Sequence, residues 1–388
     1  VLLDCLSAYE KLAIRLTRLT TYSSLHLQAD GTNPILQERA QKARALMAKI
    51  RAAVSFVESE ILALPKERLE EYFISKPDLG VFRRYLDDLL ETQPYRLDPA
   101  TEEALAALSE VLEAPYSIYQ RSKSADMQFD SVADSTGKEM PNSFALFEEK
   151  YESSPDTVLR RGAFASFTKT LLQYKNTYAA VYATEVKRQI TLARLRGYDS
   201  VFEMLLQPEH VTLEMYHNLH DIIQTELAPH MRRLARLKKR VLGLDEMRFC
   251  DLKAPLDPEF QPSTTYEEAG QTILDALSVL GDEYVEIIRQ ALTDRWVDRA
   301  DNIGKSTGAF CSSPYGVHPF ILVTWADDMR SAFTLAHELG HAGHFALANS
   351  HQTFFNVRPS RYFVEAPSTM NERLLANHLI AQAKDARM

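Results

Sequence analysis

Cysteine is rare in this chain of 388 residues: Cys5, Cys250 and Cys311 lie far apart, form no CxxC pair and are odd in number. That excludes a complete disulfide framework and fits a reducing compartment, so a cytoplasmic location is expected. No uninterrupted apolar run reaches the about twenty residues of a membrane-spanning helix, and no membrane partner is expected. No secretory signal opens the sequence, which starts at Val1 inside a helix-like pattern without an initiator methionine. A basic excess is also lacking. Lys and Arg number 44 against 53 Asp and Glu, a formal charge of −9, which leaves no electrostatic footprint for nucleic acid. Glycine is scarce at 13 residues while Ala, Leu, Glu, Arg and Lys abound, and this points to a mainly α chain. Hydrophobic residues make up 45%, enough for a substantial core in one large or two modest domains.

Helical periodicity is what the sequence has most of. Leu2, Leu6, Tyr9, Leu12, Leu16 and Leu19 give Val1 to about Leu27 a broad apolar stripe. After a break at Ala29–Pro34, helix is expected to about Ala63, then from Pro65 and from Ser75–Asp78. Leu97-Asp98-Pro99 supplies a cap and a first-turn proline for the next helix, and another follows from Pro115 to Ser124. Alternation over Met127–Val132, a turn at Ala133–Gly137 and Lys138–Met140 signal a β-hairpin. Ser154-Pro155-Asp156 starts a periodic stretch to Gly197, either one rod or two helices joined near Gly162 or Tyr174.

From Val211-Thr212 a helix is expected to Leu242, carrying His217, His220 and His230. No acid or cysteine completes a cluster with them, so they read as surface or capping residues. Met247–Leu252 looks like a short strand, and helices start at Thr264 and Asp282. Ser306–Ser312 and Pro319–Val323 read as two adjacent strands.

The chemistry concentrates in Ala336–His341. His337 and His341 are four apart, so on a helix both rings leave one face. That reach suits two nitrogens meeting one zinc at about 2.0–2.1 Å. Glu338 then points beside the metal, placed to take a proton from a water and pass it to a leaving amine. The plain alternative is a surface helix. Against it stand the helical apolar spacing of Met329, Ala332, Phe333 and Ala336, and a glycine at 340. A glycine costs a helix interior about 1 kcal/mol, so Gly340 signals another segment packed close to the backbone.

A third ligand must be His or Glu. The HExxHxxGxxH pattern requires glycine at 344 and histidine at 347, where this chain has His344 and Leu347, so that class is excluded. Glu365 and Glu372 remain, seven apart on one helical face. One can ligate while the other orients a ligand, and spacing does not rank them.

The strings HELGHAGH and FVEAPSTMNE, at His337–His344 and Phe363–Glu372, resemble the M3 family of zinc peptidases, in particular its oligoendopeptidase F branch. The agreement extends to Gly304–Cys311, His318–Thr324 and the helical region from Leu62 to Phe129. The resemblance implies one Zn2+ per chain bound by His337, His341 and Glu365, with Glu338 as general base and Glu372 supporting the ligands. It implies a zincin-like, gluzincin fold: a multi-helical ellipsoid whose deep channel admits short unstructured oligopeptides, with small β elements beside the zinc helix. It also favours a substrate role for the exposed strand edge ahead of that helix, involving Gly308, Ala309, Phe310 and His318, where a peptide backbone adds as a strand. An N-terminal helical domain, 1–137, would precede a catalytic domain, 138–388.

In the M3 family the oxyanion is held by a histidine and tyrosines well beyond the zinc ligands. This sequence stops sixteen residues after Glu372 with Leu374–Ala386 still helical. A fragment is therefore expected, with a missing C-terminal segment as its partner. Two rivals to a zinc endopeptidase stay open. One is a helical zinc metallocarboxypeptidase, and the other a truncated zinc- or peptide-binding fragment without turnover. Zinc over manganese or cobalt is inferred from ligand type, and imidazole and carboxylate also accept those neighbouring metals.

Overall fold

Local signals set most element boundaries. Pro34 at the first helical position and Asn33, whose side chain accepts the Ile35 amide at 3.0 Å, start the second long helix. Asp98 and Asp156 cap their helices in the same way, each accepting two backbone amides. The computed structural model describes residues 1–260 and 262–384, and the architecture among them is mainly α, as expected. Tertiary contacts divide the chain into two units: one joins Val1–Gln93 to the described residues beyond Gln261, the other is Pro94–Phe260.

This division does not follow the boundary expected at 137, because the first helices are tied to the motif half of the chain. The Gly31 amide donates to the Gly304 carbonyl and the Ser306 amide to the Gln28 carbonyl, both at 2.7 Å. Arg18 donates to the carbonyls of Tyr315 and Gly316, each at 2.9 Å. Gly304 has φ 87°, and a Cβ there would lie 2.7 Å from Thr32 Cγ2, so the close approach depends on glycine. Phe355 stacks on Tyr85 at 4.2 Å and packs against Leu6, Val57, Ile61, Phe82 and Leu86.

The first unit also holds a three-stranded sheet. Phe320–Leu322 is central, parallel to Val297–Asp298 and antiparallel to Phe310–Ser312. Two of these strands were expected, and both are shorter than the apolar stretches that signalled them. Val297–Asp298, only two residues long, carries no period to read. Lys305 stabilises the loop between them. Its ammonium, on a side chain 3% exposed, donates to the carbonyls of Asp298, Ala300 and Val323 at 3.1, 2.7 and 2.6 Å. Ile321 and Val323 pack with Ile273, Leu277, Ile288, Leu335 and Leu339 into the core that underlies the motif helix.

In the second unit the long periodic stretch resolves into two helices, Thr157–Gln173 and Lys175–Arg196, meeting at Tyr174. Gly197 ends the second at φ 81°. The hairpin is present but brief: Val132 pairs with Met140 and Ala133 with Glu139, so Met127–Ser131 lies outside it. Met247–Leu252 corrects a sequence expectation, for Phe249–Asp251 is a 3-10 turn and not a strand. The cause is Asp251, which accepts the Arg248 amide at 3.1 Å and is buried against Arg160 and Arg161 at 2.8 and 3.0 Å. That capped turn outweighs the alternating pattern. The helix expected to Leu242 is interrupted by one π turn, Ile223–Leu227. Pro229, which has no N–H for the helical ladder, lies two residues beyond it.

Candidate metal centre

The motif helix, Met329–His351, begins where the Asp328 side chain accepts the Ser331 amide at 2.7 Å. A second helix, Glu365–Gln382, lies against it; the expected end of that helix, Ala386, falls outside the described residues. Gly340 permits the contact. A Cβ on it would sit 2.5 Å from Ser368 Cα and 2.8 Å from the Pro367 carbonyl oxygen. The close packing inferred from a glycine in mid-helix is therefore present, and the neighbour is the segment bearing the glutamates. Gly343 does the same for Tyr284, whose ring would lie 2.4 Å from a Cβ at that position. Asn371, 1% exposed, bridges the elements by accepting from the Tyr284 hydroxyl at 3.1 Å and donating to the Ala336 carbonyl at 3.2 Å.

Glu365 is the first residue of its helix, where the positive end of the helix dipole favours a carboxylate. Its Oε2 lies 3.2 Å from Nε2 of His337 and 3.2 Å from Nε2 of His341. Glu372, two turns on, sits 2.6 Å from Nδ1 of His337. A carboxylate at that distance accepts the Nδ1–H and so turns Nε2 towards Glu365. Nε2 and the Glu365 oxygen face each other at 3.2 Å, a separation that one shared cation would bridge. Donors about 2.0–2.1 Å from one tetrahedral ion are separated by roughly 3.3 Å, so the donor set fits a metal of that kind. His341 meets the same need: burial pulls its pKa down, favouring the neutral ligand form, although the Glu365 charge opposes this.

Glu338 is 5% exposed and its Oε2 has no hydrogen-bond partner. Its pKa is pushed up to about 7, mainly by burial; His337 pulls it down and Glu365 pushes it up. Burial also holds the Cys311 thiol well above its usual range, and the Glu338 charge adds to this. Cys311 packs on the core as a protonated thiol, in line with a structural role.

The residues expected to meet substrate lie on or next to one antiparallel strand pair and its connection. Ala309 and Cys311 pack on the core side of the sheet, and alternation turns Phe310 to the other face. Gly308, at φ 81°, precedes the strand. His318 stacks on Trp296 at 4.9 Å and donates from Nδ1 to the Pro319 carbonyl at 2.7 Å. Phe310–Ser312 does form an edge of the sheet. Sequence reasoning gave no role to Ser368. It is fully buried, with its hydroxyl 2.9 Å from the Glu365 carbonyl and 3.0 Å from Glu365 Oε2. Its place three residues after Glu365, one helical turn away, was the available signal.

Two helices that converge an HExxH pair and a downstream glutamate form a candidate metal centre of the HExxH-plus-glutamate class. A family model described as "Peptidase family M3" matches residues 150–387, and one described as "Oligopeptidase F" matches 60–129. The chain belongs to peptidase family M3. Oligopeptidase PepF of Bacillus subtilis is 33% identical over 100% of this chain and 57% of its own length. Group B oligopeptidase PepB of Streptococcus agalactiae is 32% identical over 96% of this chain and 62% of its own. The oligoendopeptidase F structure from Enterococcus faecium superposes with a TM-score of 0.68 at 25% identity, covering 99% of this chain and 63% of that one. The chain thus spans about three-fifths of the length of these relatives.

Proposed function

We propose that this chain carries the metal-holding part of a zinc-dependent endopeptidase that cleaves internal bonds of short, unstructured oligopeptides. One observation carries the reading: Nε2 of His337, Nε2 of His341 and Oε2 of Glu365 converge beside the buried, unpartnered carboxyl of Glu338. The names of the relatives, oligopeptidase and oligoendopeptidase F, support the substrate class.

In this reading His337, His341 and Glu365 hold one Zn2+, which when bound supplies polarisation of the scissile carbonyl and a more acidic attacking water. Glu372 keeps the proton of His337 on Nδ1 and aims Nε2 at the site. Ser368 holds the Glu365 oxygen that faces both imidazoles. Burial pushes the Glu338 pKa up to about 7 without metal, a bound Zn2+ would lower it, and its carboxylate is placed to exchange protons with a water. It takes one from the water as it attacks and returns it to the leaving amine. The low-dielectric pocket that raises this pKa also strengthens the interaction of Glu338 with the charges of the reaction.

The test is mass spectrometry of products from a mixture of short peptides, run with the zinc-loaded protein and with Glu338→Gln. Internal cleavage that disappears in the variant is the expected result. Cleavage that persists in Glu338→Gln would remove Glu338 from the mechanism. Release of terminal residues alone would make the protein an exopeptidase, and peptide binding without turnover would leave it a binding fragment.

A further inference from the structure

The second unit carries a cavity of its own, about 770 Å³, between the helix Ala114–Arg121 and the helix Lys175–Arg196. Tyrosine dominates its lining. Tyr116 and Tyr119 come from the first helix, Tyr178 and Tyr182 from the second. Two of the four are unusually open for aromatic residues: Tyr116 is 65% exposed and Tyr182 is 72% exposed. The other two form a fixed wall. The rings of Tyr119 and Tyr178 meet edge to face at 5.5 Å, and the Tyr178 hydroxyl shares a hydrogen bond with Ser122 at 3.0 Å. Tyr116 is steadied by Gln120, which donates to its hydroxyl at 2.8 Å.

The charges in the lining are Glu113, Glu185 and Arg188. Glu185 accepts from Arg188 at 2.6 and 2.9 Å and from Gln189 at 2.8 Å, so these two charges largely cancel. Glu113 is the remaining charge, and the cavity is acidic on balance. Tyrosine faces carry negative electrostatic potential, which attracts a cation within about 6 Å of the ring centre. The two exposed tyrosine rings beside the Tyr119–Tyr178 wall, with one net negative charge, suit a flat or elongated cationic group. Glu113 is solvent-exposed and also attracts Arg188, so the preference for a cation rests on the net negative charge of the lining, which repels an acidic residue.

We infer that this cavity binds the cationic side chain of an oligopeptide, an arginyl or lysyl residue held by the tyrosine faces and Glu113. The occupant follows from charge complementarity within the lining, and the chain as a whole, at −9, draws the same kind of ligand. Binding at this cavity needs no turnover and does not rest on the peptidase reading.

The experiment is an NMR titration of the full chain, without added metal, using N-acetyl-arginine amide as probe. N-acetyl-leucine amide and N-acetyl-glutamine amide serve as controls. Saturable shifts of tyrosine ring resonances with the arginine probe alone are expected. Tyr182→Ala and Glu113→Gln should each weaken that binding about five-fold, the loss of one exposed cation–π contact or one charge partner. Tyr182 is so exposed that its truncation leaves the fold intact, and unfolding curves verify this. Equal uptake of the leucine probe would overturn the proposal, as would arginine binding unchanged in both variants or no saturable binding at all.

Discussion

Two helical stretches of this chain carry histidines at helical spacing, and they come to different ends. The Met329–His351 helix bears His337, His341 and His344; the stretch from Leu213 to Val241 bears His217, His220 and His230. The second set is exposed, with His220 edge-on to Tyr216 at 4.5 Å as a ring neighbour. The first set is half-buried to buried, two of its members, His337 and His341, face glutamates from another helix, and it adjoins a carboxyl without a partner. Spacing is common to both. What separates them is a second segment brought within backbone contact through Gly340, which delivers the carboxylates. A metal centre here is a property of a helix pair and not of a motif.

The largest expected effect comes from breaking the chemistry while keeping the pair. Glu338→Gln should lower kcat by about 10²–10⁴-fold, the usual worth of a general base, with metal content unchanged by atomic absorption. Glu372→Ala leaves His337 Nδ1 without its acceptor. Metal affinity measured by chelator competition should then fall about 10–100-fold, while the helix contact at Gly340 persists. An affinity equal to the parent would remove Glu372 from the centre.

Gly340→Ala attacks the contact itself. Alanine is the better helix former, yet its methyl would overlap Ser368, so denaturant titration should show a loss of about 1–3 kcal/mol. A stabilised variant would mean that the two helices can part without cost.

A smaller effect is expected from pH in the metal-free protein. Burial lowers the pKa of His344 from 6.5, so the folded chain resists a proton that the unfolded chain accepts. This favours the fold fully above pH 6.5 and is progressively lost as pH falls toward the lowered folded value. His344→Gln should therefore flatten the fall in Tm between neutral and mildly acidic pH. An unchanged slope would exclude His344 as its source. The smallest effect belongs to the other histidines. The double variant His217→Ala, His220→Ala should change stability by less than about 0.5 kcal/mol and leave metal affinity untouched.

Much of the local structure was legible in advance. Caps at Asn33, Asp98 and Asp156 and the stop at Gly197 follow from side-chain chemistry within a few residues of each boundary. The strand read at Met247–Leu252 was not, because the carboxylate of Asp251 is claimed by arginines some 90 positions away, and no local pattern carries that information. The side-chain directions at the edge strand were not legible from spacing alone either. Adjacent residues of a strand face opposite ways, so Ala309 and Phe310 cannot share a surface, and His318 is taken up by Trp296.

For the centre itself, the sequence determined which groups were available: two imidazoles on one helical face, a carboxyl beside them, and two glutamates seven apart. It also set the glycine that lets a second helix approach. The tertiary structure decided what each group meets. It placed Glu365 against both Nε2 atoms and Glu372 against Nδ1 of His337, a distinction that equal helical spacing left open. It also buried Glu338, which moves its pKa to about 7. Side-chain identity fixes the donors, but their order and acidity depend on distance and solvent exclusion, and those exist only once the two helices have packed.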